Sequence, residues 1–214
     1  MKIARIVLGV LIVFLAQSSF GQSWSTYGAE TLPRSMNAIA FDTGYPWAFR
    51  GGFIAPVTNS FEARPTLGLW YGVATHVPAV GLLASAQLKF RFFQRNRVHL
   101  AVAAEPGFAF HFHPSPFLFG LQIGFPQLLF TYNATQEIAI HAGIRMPIAI
   151  FFGREDVPTI ALIPVLFRIA GEFNLSSAIS LYFGMDMGVS IAATKDGSAS
   201  DFAPIAVFGL AYRL

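Results

Sequence analysis

The chain has 214 residues, 54% hydrophobic, 15% aromatic and only 12% charged, against roughly 25% charged in soluble domains. That balance excludes disorder and makes a water-facing surface difficult to build. With no cysteine, disulfides, thiolate metal sites and cysteine nucleophiles are excluded.

The first segment, residues 1–21, reads as a secretory signal peptide. Lys2 and Arg5 form its basic start and Ile6–Ala16 an unbroken apolar run. Ser19 and Gly21 stand where cleavage prefers small residues. A membrane anchor helix is the alternative, but the run falls well short of the roughly 20 residues a span needs. Cleavage near Gly21/Gln22 predicts a mature chain outside the cytoplasm. Apart from Lys2 and Arg5, basic and acidic residues nearly balance, which leaves no electrostatic footprint for nucleic acid. Residues 22–35 read as a lead-in, and 36–214 as one all-β domain.

Two uncharged stretches, Pro65–Leu88 and Pro106–Gln136, are long enough for membrane helices, but Pro78, Pro114, Pro116 and Pro126 interrupt them. The period decides against helices. Ala84–Phe92 alternates strictly: Ser85, Gln87, Lys89 and Arg91 share one face, and Ala84, Ala86, Leu88, Phe90 and Phe92 the other. Alternation recurs through Val98–Phe112, Phe117–Phe125, Ile138–Ile150 and Ile179–Ile191. Strands are predicted at 36–43, 47–56, 61–74, 81–93, 98–112, 117–131, 137–152, 158–173, 178–192 and 202–214, with eight or twelve as alternative counts. Short polar turns, Thr58–Ser60, Gln94–Arg97, Tyr132–Gln136 and Asn174–Ser177, alternate with connections at Gly44–Pro46, Thr75–Val80, His113–Pro116, Gly153–Val157 and Thr194–Asp201. The last is expected to be the longest and most charged loop. A repeating hairpin of this kind is an up-and-down meander.

Aromatic residues close the apolar rows at both ends: Phe61, Phe92, Phe130, Tyr132, Phe173 and Tyr212 on the short-turn side, and Trp47, Tyr71, Phe110, Phe112, Phe117, Phe152 and Phe202 on the other. Two aromatic girdles are the mark of a membrane-spanning barrel. The closing Gly209-Leu210-Ala211-Tyr212-Arg213-Leu214 resembles the carboxy-terminal insertion signal of Gram-negative outer-membrane barrels, carried by Gly209, Tyr212 and Leu214. It departs from that pattern in Leu214, where a Phe is usual, and in Val207, where a polar residue is usual. Tyr27–Pro33 is similar to uncharacterised members of the same broad family. The resemblance implies a transmembrane β-barrel in the bacterial outer membrane, with outer-membrane lipid and the barrel assembly machinery as partners. Nothing in the residues indicates an oligomeric state. A soluble lipocalin-like barrel or sandwich is the alternative, but its water face would consist largely of Ala and Gly.

With the apolar rows facing lipid, the opposite parity places Arg50, Arg64, Lys89, Arg91, Arg145, Arg168 and Arg213 inside, with Asp42, Glu62, Glu105, Glu137, Glu172 and Asp186. Unpaired charges there are costly, so a network of ion pairs is expected. Glu62, Arg64, Lys89, Arg91, Glu137, Arg168, Glu172 and Arg213 lie toward the short-turn end of their strands, where they could form a charged constriction, read as a solvated, paired plug with a selectivity ring as the alternative. Ten strands predict a narrow or occluded lumen. His99, His111 and His141 share the inward parity. His111 and His113 could share a metal above Glu105, but no third ligand is fixed, so neither a metal nor another cofactor is assigned.

The expected function is non-enzymatic: membrane structure, or restricted solute passage through a narrow polar lumen. His113-Pro114-Ser115 has the His-x-Ser spacing of the lipid A deacylase family and supports an alternative reading as a lipid-modifying enzyme, with no acid partner identified. A soluble periplasmic ligand-binding barrel is the third reading.

Overall fold

The computed structural model describes residues 24–74, 77–113, 117–124, 126–153 and 158–214; the expected leader lies outside them. Fourteen strand segments follow in chain order: β1 (Ala38–Tyr45), β2 (Trp47–Pro56), β3 (Phe61–Ala74), β4 (Val77–Arg95), β5 (Val98–Ala104), β6 (Gly107–His113), β7 (Leu118–Gln122), β8 (Gln127–Asn133), β9 (Ile138–Arg145), β10 (Ala149–Phe152), β11 (Ile160–Asn174), β12 (Ile179–Thr194), β13 (Gly197–Phe202) and β14 (Ile205–Arg213). They compose the ten antiparallel staves of a closed barrel, because β5–β6, β7–β8, β9–β10 and β13–β14 are each one interrupted stave. Closure is direct. Ala38 pairs with Arg213 and Tyr45 with Ala206, so β14 lies against β1 and the wall has no free edge between them.

The interruptions have local causes. Pro106 lacks an N–H, and its carbonyl instead accepts the Ala86 N–H at 2.9 Å. Gly124, at φ +59°, opens the stave between β7 and β8. Across that break the inward parity moves by one residue: Leu118 and Gly120 face in before it, Leu129 and Thr131 after it. The Ala86 and Glu105 N–H groups still find carbonyls across these gaps, so the wall stays hydrogen-bonded.

Two expectations need correction. Thr194–Asp201 is mostly strand, with β12 running to Thr194 and β13 starting at Gly197, so the tenth stave begins there and not at 202. Its residues are small or polar and exposed on both faces, which hides any period in the sequence, while Asp196-Gly197 supplies a tight turn. Trp47, expected in the outer girdle, packs inside the barrel with the Arg50 guanidinium 5.3 Å from its ring. A bulge between Trp47 and Phe49 turns it over. A second bulge, between Arg91 and Phe93, leaves Phe92 and Phe93 both outward, 51% and 40% exposed.

Away from these breaks, the outer wall is apolar. Phe90, Phe108, Phe167, Ile169, Phe183, Phe208 and Tyr212 stand exposed on it, while most charged side chains of the staves turn inward and are buried; Arg91 and Arg213 are half-buried, and Arg95 and Asp201 are exposed. Phe108, Phe110, Phe112, Phe117, Phe119 and Phe152 stack in an aromatic belt near the long-connection end. No helix among the described residues is long and apolar enough to cross a membrane.

The barrel lumen as candidate functional site

Residues 24–32, expected to be a lead-in, lie inside the barrel, and all nine are buried. The segment dips in from the short-turn end and bends at 26–29, with Tyr27 reaching deepest. Its length and composition held no sign of this, because Trp24-Ser25-Thr26-Tyr27 has no period to read. What holds it is a set of wall side chains at inward positions. Glu172 on β11, fully buried, accepts the Thr26 N–H at 3.0 Å, the Ser25 hydroxyl at 2.8 Å and, from the wall itself, the Ser180 hydroxyl at 2.7 Å. Thr131 on β8 accepts the Ala29 N–H at 2.7 Å. Lys89 on β4 donates to the Gly28 carbonyl at 3.0 Å and pairs with Glu62 at 2.8 Å, while Glu62 accepts the Leu32 N–H at 2.9 Å. Asn133 donates to Glu30 at 2.8 Å, and His99 stands 3.0 Å from the same carboxylate. The wall thus supplies hydrogen bonds that a buried irregular backbone needs.

Above Tyr27 lies a layer of four guanidiniums. Asp42 takes two bonds from Arg50, at 2.7 and 3.1 Å, one from Arg64 at 3.2 Å and one from the Tyr182 hydroxyl at 2.9 Å. Asp186 takes two from Arg168, at 2.8 and 3.0 Å, and one from Arg145 at 2.9 Å. Arg168 also lies 4.0 Å over the Tyr27 ring, which stacks on Tyr182. Gly184 and Gly209 face these two rings, and a β-carbon at either would fall on them. Beyond the layer the lumen becomes apolar: Leu83, Leu118 and Phe151 are buried there with Trp47 and Trp70 against them, and His111 packs on Trp70.

The structure sorts the expected inward charges differently from a single constriction. Arg64 and Arg168 reach away from the short-turn end to the aspartates of the middle layer, alongside Arg50, Arg145, Glu105 and Asp186. Glu62, Lys89 and Glu172 hold the N-terminal segment. Arg91, half-buried, donates to the Asn59 carbonyl at 2.7 Å, and Arg213, half-buried, lies 6.0 Å from the Trp24 ring centre. Glu137 stays within its own turn, accepting from Thr135 at 2.9 Å. Gly209, Tyr212 and Leu214 close the last stave, with Tyr212 and Leu214 exposed on the apolar wall.

One cluster has the residue types of a hydrolase. His141 has Thr131 Oγ1 2.9 Å from Nδ1, and Glu172 and Ser25 at 3.2 and 3.4 Å from Nε2. Ser25 and Glu172 therefore share one ring nitrogen, whereas a nucleophile–base–acid relay needs them on opposite nitrogens. Thr131 is on the other nitrogen, but it is fully buried and its oxygen already accepts Ala29. The cluster works as a clasp on the segment. His113-Pro114-Ser115 falls outside what is described: Ser115 is not among the described residues, nor is the His113 side chain. Among the described residues no group of three or more His, Asp or Glu is placed to hold a metal.

No known family model matches the chain, and no characterised protein matches it in sequence. In fold it is similar to OmpT, an outer membrane protein of Vibrio cholerae, at 11% identity over 91% of this chain and 75% of that one, with a TM-score of 0.38. It is also similar to the outer membrane protease OmpT from Escherichia coli, at 9% identity over 84% and 93%, TM-score 0.41. A third neighbour is the NanC porin, at 10% identity over 84% and 99%, TM-score 0.33. One is named a protease and another a porin, so the functional reading rests on the lumen's own geometry.

Proposed function

We propose that this protein is an integral outer-membrane β-barrel, non-enzymatic, with its lumen closed at rest by its own N-terminal segment. Small solutes pass only when that segment leaves. Membrane residence is supported by the outer wall, where Phe, Leu, Ile and Val dominate the exposed apolar surface and most charged side chains are turned inward. A closed wall also leaves no backbone group of the β1–β14 seam unpaired in hydrocarbon. Removal of residues 1–21 as a signal peptide and insertion through the barrel assembly machinery belong to the same reading.

The observation that carries the plug is Glu172. Its carboxylate faces the segment and takes donors from Ser25, Thr26 and Tyr27, the last at 3.4 Å. A wall carboxylate committed to three consecutive residues of one strand-free segment fixes that segment in place. It also lets the segment leave without breaking any strand pairing. Planar bilayers test the reading. The chain from Gln22 onward should be mostly non-conducting, and a chain lacking residues 24–32 should show ion conductance well above it. Equal and negligible conductance of both would overturn solute passage and leave the structural role.

A further inference from the structure

The guanidinium layer above Tyr27 borders a cavity of about 20 Å³ lined by Arg50, Arg64, Arg145, Arg168, Glu105 and Tyr27, together with Thr26, Thr66 and Gln87. A single water-sized sphere needs roughly 10–15 Å³ on this measure. The cavity therefore matches one monatomic ion or water in size and is too small to seat a whole phosphate, sulfate or carboxylate.

Two further features indicate what belongs there. The first is charge. Four guanidiniums, each more than nine-tenths buried, meet three buried carboxylates, Asp42, Glu105 and Asp186, so the layer carries one positive charge in excess. Arginine does not relieve this by losing a proton. The second is donors. Asp42 is committed to four of the bonds described above and Asp186 to three, and Glu105 takes the Ser85 hydroxyl at 2.9 Å and stands 3.8 Å from Arg145. Arg64 Nε, Arg145 Nε, the Thr26 hydroxyl and the Tyr27 hydroxyl then have no acceptor among the described residues. All four belong to buried residues that line the cavity. Water would accept two of these donors and leave the charge. A monovalent anion accepts several and cancels it.

We propose that the middle of the lumen is a binding site for a halide-sized monovalent anion, held by Arg64 and Arg145 with the Tyr27 and Thr26 hydroxyls. Two of those donors come from the N-terminal segment, so the ion also ties the segment to the wall. The site does not depend on whether solutes pass through the barrel.

Crystals of the chain from Gln22 onward soaked in sodium bromide should show one anomalous peak within this cavity. In detergent at constant ionic strength, chloride should raise the thermal unfolding midpoint saturably relative to gluconate. Tyr27→Phe should raise the half-saturating chloride concentration about tenfold or more, as expected for one hydrogen bond to a charged group. Arg145→Gln should abolish the chloride dependence; Gln87→Glu, which places a fourth carboxylate beside the cavity, should do the same without loss of fold and keeps the test open if Arg145→Gln fails to fold. No bromide peak in the cavity, or stabilisation by sulfate equal to that by chloride, would overturn the proposal. So would chloride dependence that persists unchanged in both Tyr27→Phe and Gln87→Glu.

Discussion

Glu172→Gln should loosen the N-terminal segment while leaving the barrel wall intact. Glu172 is fully buried, with its two oxygens shared among Ser25, Thr26, Tyr27, Ser180 and His141. Glutamine keeps the shape, removes the charge and replaces one acceptor oxygen with an amide that confronts N–H and O–H donors. Bonds to a charged acceptor are worth about 1.5–3 kcal/mol each, neutral ones about 1, and a stranded buried donor costs about 1–3. The segment should therefore open more easily by about 3 kcal/mol, roughly a hundredfold in its opening equilibrium. Hydrogen–deuterium exchange of the detergent-folded protein reads this directly, since segment opening does not require strands to separate. Amides of Thr26–Leu32 should exchange about a hundredfold faster, with those of β11 and β12 unchanged. Unchanged exchange in 26–32 would refute the clasp. Equal acceleration in the segment and the strands would show instead that Glu172 stabilises the whole barrel.

Two other substitutions probe the wall. Leu88 stands on the apolar exterior next to the inward-facing Gln87, so Leu88→Arg should destabilise the barrel by about 2–4 kcal/mol in urea titrations from bilayers. A cost under 1 kcal/mol would place Leu88 away from hydrocarbon. Gly209→Ala puts a methyl on the Tyr182 ring, whose hydroxyl bonds Asp42 at 2.9 Å. Overpacking of this kind costs about 1–3 kcal/mol, and most of that cost should vanish when Tyr182→Ala is already present, a strong coupling in a double-mutant cycle. Simple additivity would show that the ring is not what the methyl meets.

The wall of this barrel is legible in the sequence because a strand in a closed sheet must alternate when its two faces meet different surroundings, apolar on one and polar on the other, residue after residue. Ser85 to Arg91 and Ile138 to Arg145 announce both the strand and its inward row, and the spacing of the polar turns points to ten strands, with eight or twelve left open until the wall closes. Where the alternation carries no contrast, as in Gly197–Phe202, or slips by one residue, as at Trp47, the pattern gives no warning and only pairing across the wall decides the outcome. The lumen is a different matter. Parity says that Glu172 and Lys89 face inward, but not that they face a neighbour 61 or 147 residues away in the chain, as the bonds to Gly28 and Ser25 require. Closing the wall brings those side chains to one end of a narrow space and the arginines to its middle. Residues 24–32, with no period and no motif, take their conformation from the buried donors and acceptors that surround them. Strand formation depends on the periodicity of neighbouring residues, whereas filling a barrel depends on which side chains the closed sheet sets opposite one another.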